Sequence, residues 1–210
     1  MALRAVVFDY GMVLSGPQDP ESYAALLRIT GLPVDRFESL YWRDRPAYDE
    51  GKLTGIAFWQ KFLREAGLTT DQDTVEELNR WDAQMWTTQN PAMVAWQLAL
   101  KERGLLTAIL SNMGDNVLEN VEREFGWIHR FDVLVWSFQL GIAKPDAAIY
   151  RHTLDRLGVA PEEALFIDDR PANIEAAKAL GIPSIQFSTV EQLRDELIAA
   201  GLDKLLPLPA

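Results

Sequence analysis

Four places in the chain carry side chains that could do chemistry together. Asp9 follows one apolar run, Ser111 follows a second, the acidic pair Asp168 and Asp169 follows a third, and Lys144 stands in a polar loop. A carboxylate can serve as a nucleophile or a metal ligand, an ammonium can neutralise negative charge, and a hydroxyl can hold an oxyanion. If these residues meet, the site has three carboxylates, one ammonium and one hydroxyl.

Taken singly, each of these residues also has an ordinary structural interpretation. Asp9 and Ser111 are common turn and helix-capping residues, the acidic pair could form a turn with an N-cap, and a loop lysine is usually solvated. Their joint placement favours a site, because unrelated turn residues have no reason to follow strand after strand in this order.

The elements that must position these residues follow from the hydrophobic pattern. Short apolar runs bounded by glycine and charge predict strands over residues 5–9, 105–110, 131–136, 164–167 and 184–187. Helical patterns separate the strands from residue 90 onward, and this alternation predicts a parallel sheet covered on both faces. The carboxyl ends of parallel strands share an edge, so we expect Asp9, Ser111 and the acidic pair to meet there, with Lys144 supplied by a nearby loop.

The segment after the first strand has a different character. Residues 15–20 are rich in turn formers, and only helical signals follow, over residues 21–29, 35–44, 54–66 and 71–85. This pattern predicts a small helical module inserted between the first strand and the rest of an α/β fold. We place the core at residues 1–16 and 88–210 and the α-helical cap domain at residues 17–87.

Charge arithmetic predicts a metal at the shared edge. Three ionised carboxylates cannot occupy one crevice unless a cation offsets them. Oxygen ligands of this kind favour a hard divalent ion, and we expect Mg²⁺.

The amino-acid composition limits the kinds of molecule and metal site that we expect for this protein. The 210 residues carry 31 acidic and 20 basic side chains, for a net charge of −11, and lack the basic clusters that nucleic-acid binding requires. The absence of cysteine excludes disulfides and thiolate metal sites. No segment has the apolar length of a membrane span, and the first apolar run is too short for a signal peptide, so we expect a cytoplasmic protein without membrane contact.

Four motifs resemble those of the haloacid dehalogenase-like superfamily, in the same order and on the same elements. They are Phe8-Asp9-Tyr10-Gly11-Met12-Val13-Leu14, Leu110-Ser111-Asn112, Lys144-Pro145, and Phe166-Ile167-Asp168-Asp169 with Asn173 after it. The resemblance covers residues 3–16 and 90–190, implies a Rossmann-like core, and puts the helical module where the family has its cap. Within the family, the chain looks most like the phosphatases of the glucose-1-phosphatase type and the N-terminal phosphatase domain of epoxide hydrolases.

The resemblance implies a role for each matched residue. Asp9 would attack phosphorus and form an aspartyl-phosphate that water hydrolyses. Ser111 and Asn112 would bind the phosphoryl oxygens, with Asn112 contributing through its backbone, and Lys144 would neutralise charge on Asp9 and on the transferring group. Mg²⁺ would be held by Asp9, the Gly11 carbonyl, Asp169 and the phosphate. Asp168 would either ligate the ion or orient Lys144, and we favour Asp169 as the direct ligand.

Gly11 departs from the pattern of many family phosphatases. These have a second aspartate two residues after the nucleophile, which protonates the leaving oxygen and later activates water. Glycine keeps the carbonyl but has no group to move a proton, and such proton transfer is typically worth about 10²–10⁴ in rate. A cap residue or water would have to substitute, unless the enzyme is slow or inactive; relatives of the glucose-1-phosphatase type also carry glycine here.

Other conspicuous side chains favour structural interpretations. His129 and His152 are isolated and lack ligand spacing. Trp42, Trp59, Trp81 and Trp86 are expected in the core of the cap rather than as a substrate platform. Arg43, Arg45 and Tyr48 could reach a substrate from the cap, but solvated helix positions fit them better.

The sequence thus predicts a Mg²⁺-dependent phosphatase of small phosphorylated metabolites, with sugar phosphates among the candidates, acting as a monomer or homodimer. A metal-independent 2-haloacid dehalogenase is the first alternative, since it shares the aspartate, serine and lysine. Asp168 and Asp169 would be unusual there, because a metal-free site gains nothing from additional negative charge. The second alternative is a non-catalytic regulatory or binding protein that keeps the fold, and only Gly11 favours it.

Overall fold

A five-stranded parallel sheet, with strand order β3-β2-β1-β4-β5, forms the centre of the computed structural model, which describes residues 3–210. The strands are β1 (Ala5–Phe8), β2 (Leu106–Ser111), β3 (Val133–Trp136), β4 (Ala164–Asp168) and β5 (Ser184–Gln186). β1 lies in the middle, with Phe8 in register with Ile109 of β2 and Ile167 of β4. This register brings the carboxyl ends of β1, β2 and β4 to one edge, as the sequence predicts.

Helices cover both faces of the sheet. They are α1 (Pro20–Thr30), α2 (Val34–Asp49), α3 (Gly55–Ala66), α4 (Gln72–Met85), α5 (Pro91–Glu102), α6 (Asp115–Glu124), α7 (Ser137–Leu140), α8 (Ala147–Leu157), α9 (Pro171–Ala179) and α10 (Val190–Ala199). Alternate β1 residues point to opposite faces: Val6 and Phe8 pack in the cluster that includes α5, α6 and α10, while Val7 packs in the cluster that includes α8 and α9. The predicted α/β fold with a Rossmann-like parallel sheet and an inserted helical cap is confirmed.

Helices α1 to α4 form the insertion between β1 and α5, and their core is aromatic. Phe37, Tyr41, Phe58, Trp59 and Phe62 are each at most 2% exposed. Their ring centroids lie 5–6.5 Å apart in edge-on, tilted and stacked pairs, an arrangement that adds stability beyond simple area burial. Trp59 therefore has the core position expected for it.

Two antiparallel chain segments join the insertion to the core. Ser15 and Gln89 form a β-bridge, and Asn90 donates from its backbone to the Leu14 carbonyl over 2.9 Å. This crossing lies at the boundaries that the sequence suggests, 16/17 and 87/88. The division into two domains at these residues stays a prediction.

The structure departs from the sequence-based prediction at the end of α2. The pattern predicts a helix over residues 35–44, two residues short of Pro46, but α2 continues through the proline to Asp49. Proline inside a helix removes one hydrogen bond and crowds the preceding turn. The extra turn is held from outside, because the Ser137 hydroxyl donates to the Asp49 carbonyl. α7, which begins at Ser137, was also absent from the prediction.

The C-terminal residues pack on the core. Leu206 is 2% exposed, and the Trp96 indole donates to the Pro207 carbonyl over 2.6 Å. Among residues 3–210, no helix combines the length and the apolar character needed to cross a bilayer.

Candidate active site

Lys144 links two of the predicted site carboxylates. Its ammonium lies 2.9 Å from Asp9 Oδ1 and 2.7 Å from Asp168 Oδ2, and it also donates to the Leu110 carbonyl over 2.8 Å. The Lys144 side chain is 1% exposed and that of Asp168 is fully buried. Lys144 is therefore part of a buried charge network and not a solvated loop residue.

The charges in this network shift one another's pKa values. Burial raises the pKa of Asp9 to about 7, with Lys144 opposing the shift and Asp168 adding to it. Burial alone would lower the pKa of Lys144, but the charges of Asp9 and Asp168 outweigh this effect and raise it. The lysine therefore stays protonated between its two acidic partners.

Asp168 and Asp169 have different surroundings although they are adjacent. The Asp168 carboxylate accepts from Lys144, from the Asn173 amide at 2.9 and 3.0 Å, and from the Arg170 backbone at 2.8 Å. Apart from its own backbone N–H, the Asp169 side chain has no hydrogen-bond or ion-pair partner within the described chain, and burial together with the Asp168 charge raises its pKa. The Asp168 oxygens are thus occupied by hydrogen bonds and hold Lys144 in place, whereas the Asp169 oxygens are available to bind another group.

This donor set fits a divalent cation. One oxygen each from Asp9, Asp168 and Asp169 can be chosen so that all lie within 4.8 Å of one another. Because Asp168 is saturated by donors, Asp9 and Asp169 are the carboxylates available as ligands. The chain turns sharply after Asp9 through Tyr10–Leu14, which places Gly11 on the same cavity wall.

Ser111 and Asn112 line the same cavity from the end of β2. Ser111 is 2% exposed. The Asn112 side chain exchanges two 2.8 Å hydrogen bonds with the Lys144 backbone. Asn112 therefore fixes the lysine loop through its side chain, so that its backbone is the part suited to an oxyanion.

The cavity over these residues has a volume of about 380 Å³, and the insertion forms part of its wall. All predicted site residues except the fully buried Asp168 line it. The insertion contributes the side chains Trp42, Arg45, Asp49 and Trp86.

The expectation that Arg45 and Tyr48 are solvated is wrong. Arg45 is 5% exposed and Tyr48 is fully buried, and the guanidinium lies 5.0–5.3 Å from the rings of Tyr41, Tyr48 and Trp86. These cation–π contacts become favourable because the arginine is desolvated among aromatic rings. Arg43, in contrast, is exposed as expected and pairs with Asp44.

The cavity includes residues that the sequence analysis did not single out. Asp49 stands on the turn of α2 beyond the predicted end of the helix, and Arg170 follows the acidic pair directly. Trp42 and Trp86, expected in the interior of the cap, face the cavity instead. The amphipathic pattern of α2 does not separate these positions from solvated ones, because they face a cavity and not a continuous core.

Comparison with known families agrees with the geometry. The family model described as haloacid dehalogenase-like hydrolase matches residues 4–181. The chain belongs to this family. The expected fold, hydrolase class and superfamily are thereby confirmed.

Several relatives of this haloacid dehalogenase-like hydrolase are much longer. The chain is 36% identical to Acyl-CoA dehydrogenase family member 10 of Mus musculus over 93% of its own length and 29% identical to Bifunctional epoxide hydrolase 2 of Sus scrofa over 100%. It spans only 19% and 41% of these two proteins. The similarity therefore concerns one part of each.

Two relatives of similar length differ in their chemistry. The chain is 28% identical to Phosphatase MT3486 of Mycobacterium tuberculosis, covering 94% of this chain and 93% of that protein. It is 30% identical to (S)-2-haloacid dehalogenase 1 of a Pseudomonas species, covering 90% and 86%. Sequence similarity alone therefore leaves phosphatase and dehalogenase open.

A solved HAD family enzyme from Bacteroides thetaiotaomicron, in complex with magnesium and inorganic phosphate, shares the fold. The TM-score is 0.75 at 20% sequence identity, with 89% of this chain and 95% of that chain covered. This likeness concerns the fold alone.

Proposed function

We propose that this haloacid dehalogenase-like hydrolase is a Mg²⁺-dependent phosphatase of small phosphorylated metabolites, sugar phosphates among them. The observation that carries the proposal is the free carboxylate of Asp169 beside the nucleophile candidate Asp9. An unpaired carboxylate next to another anion is unfavourable unless a cation binds between them.

Each side chain of the site has a separate role in phosphoryl transfer. Asp9 attacks phosphorus, and an aspartyl-phosphate forms as the leaving oxygen departs. Lys144 and the Ser111 hydroxyl stabilise charge on the transferring group, and Asp168 with Asn173 holds Lys144 in place. Bound Mg²⁺, held by Asp9, Asp169 and the Gly11 carbonyl, would supply charge neutralisation at the phosphate.

Turnover of p-nitrophenyl phosphate tests the proposal. The wild-type protein should release p-nitrophenol with Mg²⁺ and stop when EDTA removes it. Asp9→Asn should abolish turnover, because an amide oxygen is a poor nucleophile, while its melting temperature stays close to that of the wild type. Metal-independent hydrolysis, or full activity in Asp9→Asn, would refute it.

The dehalogenase alternative is retained because of the 30% identity to (S)-2-haloacid dehalogenase 1. It predicts halide release from 2-chloropropionate in the presence of EDTA. The Asp169 carboxylate counts against it, since without a metal that charge opposes the ionisation of Asp9. Halide release without metal, together with no hydrolysis of p-nitrophenyl phosphate, would replace the phosphatase proposal.

A further inference from the structure

We propose that Asp49, from the helical insertion, donates and accepts the proton during phosphate-ester hydrolysis. Gly11 has no side chain that could do this. This inference rests on the proposed phosphatase function and assigns one further catalytic residue to it. Asp49 lines the same cavity as Asp9, Ser111 and Lys144 and is the carboxylate that the insertion supplies to it. A phosphate ester bound at Asp9 would place its leaving group in this cavity, where Asp49 can exchange a proton with it.

The surroundings of Asp49 raise its pKa toward neutral pH, so that its carboxyl can both gain and lose a proton there. Arg45 Nε donates to Asp49 over 3.0 Å, but the same guanidinium also pairs with the fully buried Asp82 at 2.9 and 3.2 Å. One cation thus serves two carboxylates. Burial raises the pKa of Asp49 to about 6, Arg45 opposes the shift, Asp82 adds to it, and Arg170, which lines the same cavity, lowers it.

A general acid works best when its pKa lies close to the working pH, because it must both hold a proton and release it. Asp49 meets this condition, and it has access to the cavity, with 18% of its side chain exposed. Asp82, the other acid of the pair, is fully buried behind Arg45.

The core fixes the position of Asp49. The Ser137 hydroxyl donates to the Asp49 carbonyl and accepts from the Met113 backbone at 3.0 Å. Met113 lies two residues after Ser111, so one serine ties the end of α2 to the proposed phosphate-binding loop. Gly51 follows with φ +73°, and a Cβ there would overlap the Phe138 backbone. Asp49 is therefore anchored to the catalytic edge although it belongs to the insertion.

The proton transfers balance over the two steps. In the first, an Asp9 oxygen bonds to phosphorus, the bond between phosphorus and the leaving oxygen breaks, and the Asp49 proton passes to that oxygen to give an alcohol. In the second, the oxygen of a water molecule bonds to phosphorus while Asp49 takes a proton from it, the phosphorus–Asp9 bond breaks, and inorganic phosphate leaves. Asp9 and the protonated Asp49 are both regenerated.

The test compares leaving groups in the Asp49→Asn variant of the full chain with Mg²⁺ present. p-Nitrophenol leaves readily as an anion, whereas n-propanol needs a proton. We expect Asp49→Asn to lower kcat/KM for n-propyl phosphate by about 10²-fold or more. For p-nitrophenyl phosphate, kcat/KM reports only the first step, in which the anion leaves without a proton, so it should change by less than about threefold although the later hydrolysis step loses its base. Asparagine keeps an acceptor for Arg45, and a melting curve checks the fold.

Asp44→Asn is the matched control, because Asp44 lies on the same helix, pairs with Arg43 and Lys61, and is outside the cavity. It should leave both substrates unaffected. If the wild type hydrolyses p-nitrophenyl phosphate but Asp49→Asn lowers kcat/KM equally for both substrates, or for neither, the proton-donor role is refuted and the phosphatase function stands. If the wild type hydrolyses no phosphate ester, both proposals fail.

Discussion

Among the site residues, the chemistry depends on which carboxylate already accepts hydrogen bonds from protein donors and which does not. Asp168 and Asp169 are indistinguishable in the sequence, where both follow the same apolar run. Only the fold shows that Asp168 is saturated by Lys144, Asn173 and Arg170, which leaves Asp169 free. The sequence is therefore sufficient to predict which residues converge at this edge of the sheet, while the partners of each side chain require the structure.

Replacing Asp169 should remove the effect of Mg²⁺ on stability. A ligand at about 100 times its Kd stabilises a folded protein by about 2.7 kcal/mol, which raises the melting temperature of the wild type. Asp169→Ala should show little or no rise on adding Mg²⁺. The control is Asp195→Ala, which removes an exposed carboxylate of α10 and should respond like the wild type. A wild-type response in Asp169→Ala would place the ion elsewhere.

A substitution at Gly11 offers a second test of whether Asp49 donates the proton to the leaving group. Its φ of −61° and ψ of 130° suit any L-residue, and a Cβ there would meet no atom within 4 Å. We expect Gly11→Asp to raise kcat/KM for n-propyl phosphate about 10²-fold in the Asp49→Asn background and less than about tenfold in the wild type.

The matched control for this cycle is Gly11→Asn, which has the same size but no proton to give. When two residues can perform the same proton transfer, the effects of substituting them are non-additive. Equal gains in kcat/KM from Gly11→Asp in both backgrounds would therefore mean that Asp49 does not transfer the proton.

At the scale of elements, the strands and most helices follow from hydrophobic period and capping residues. Thr54, Asp71 and Asn90 accept backbone hydrogen bonds at helix starts that the sequence indicates, and Asp19 does so two residues before the predicted start at residue 21. The last turn of α2 could not be predicted in this way, because Pro46 opposes it and a contact distant in sequence, from Ser137, holds it. Asp49 was missed for the same reason.

The junction after α2 should be sensitive to a single methyl group. Gly51 and Gly67 both have positive φ, of +73° and +74°, so alanine is strained at either position. Only at Gly51 would the Cβ also overlap backbone, at Phe138. We expect Gly51→Ala to cost at least about 1 kcal/mol more in the free energy of unfolding than Gly67→Ala, as measured by urea denaturation. Equal losses would show that α2 and α7 are not tightly joined.

In the molecule as a whole, the parallel sheet supplies the edge that carries the candidate site, and the insertion contributes part of the cavity wall. The strand order puts β1 between β2 and β4, so residues over 100 positions apart in sequence meet. Alternation of strands and helices was sufficient to predict this convergence. The cavity wall contributed by the insertion was not predictable, since it depends on how four helices pack over the edge.

Burial of Asp49 should give the whole molecule a pH-dependent stability. Its pKa is raised from 3.8 to about 6, so the folded state binds the proton more tightly than the unfolded state. The resulting stabilisation is complete below the unfolded pKa and is lost as the pH rises through about 6. Between pH 5 and 7.5 this amounts to about 1 kcal/mol.

Urea denaturation of the metal-free protein at these two pH values measures the effect. The fall in unfolding free energy should be smaller in Asp49→Asn than in the wild type, because asparagine does not titrate. Asp44→Asn provides the comparison for a carboxylate outside the cavity. An identical fall in Asp49→Asn and the wild type would show that Asp49 ionises at its ordinary pKa.

A phosphatase of this kind requires the Asp9 carboxylate to accept a phosphoryl group while a divalent ion is bound. Rapid acid quenching during turnover of p-nitrophenyl phosphate, followed by borohydride reduction and peptide mass spectrometry, tests it most directly. Reduction of an aspartyl-phosphate leaves homoserine, which should occur at position 9, only with Mg²⁺, and not in Asp9→Asn. Turnover without homoserine at position 9, under conditions that reduce a control acyl phosphate, would contradict this requirement.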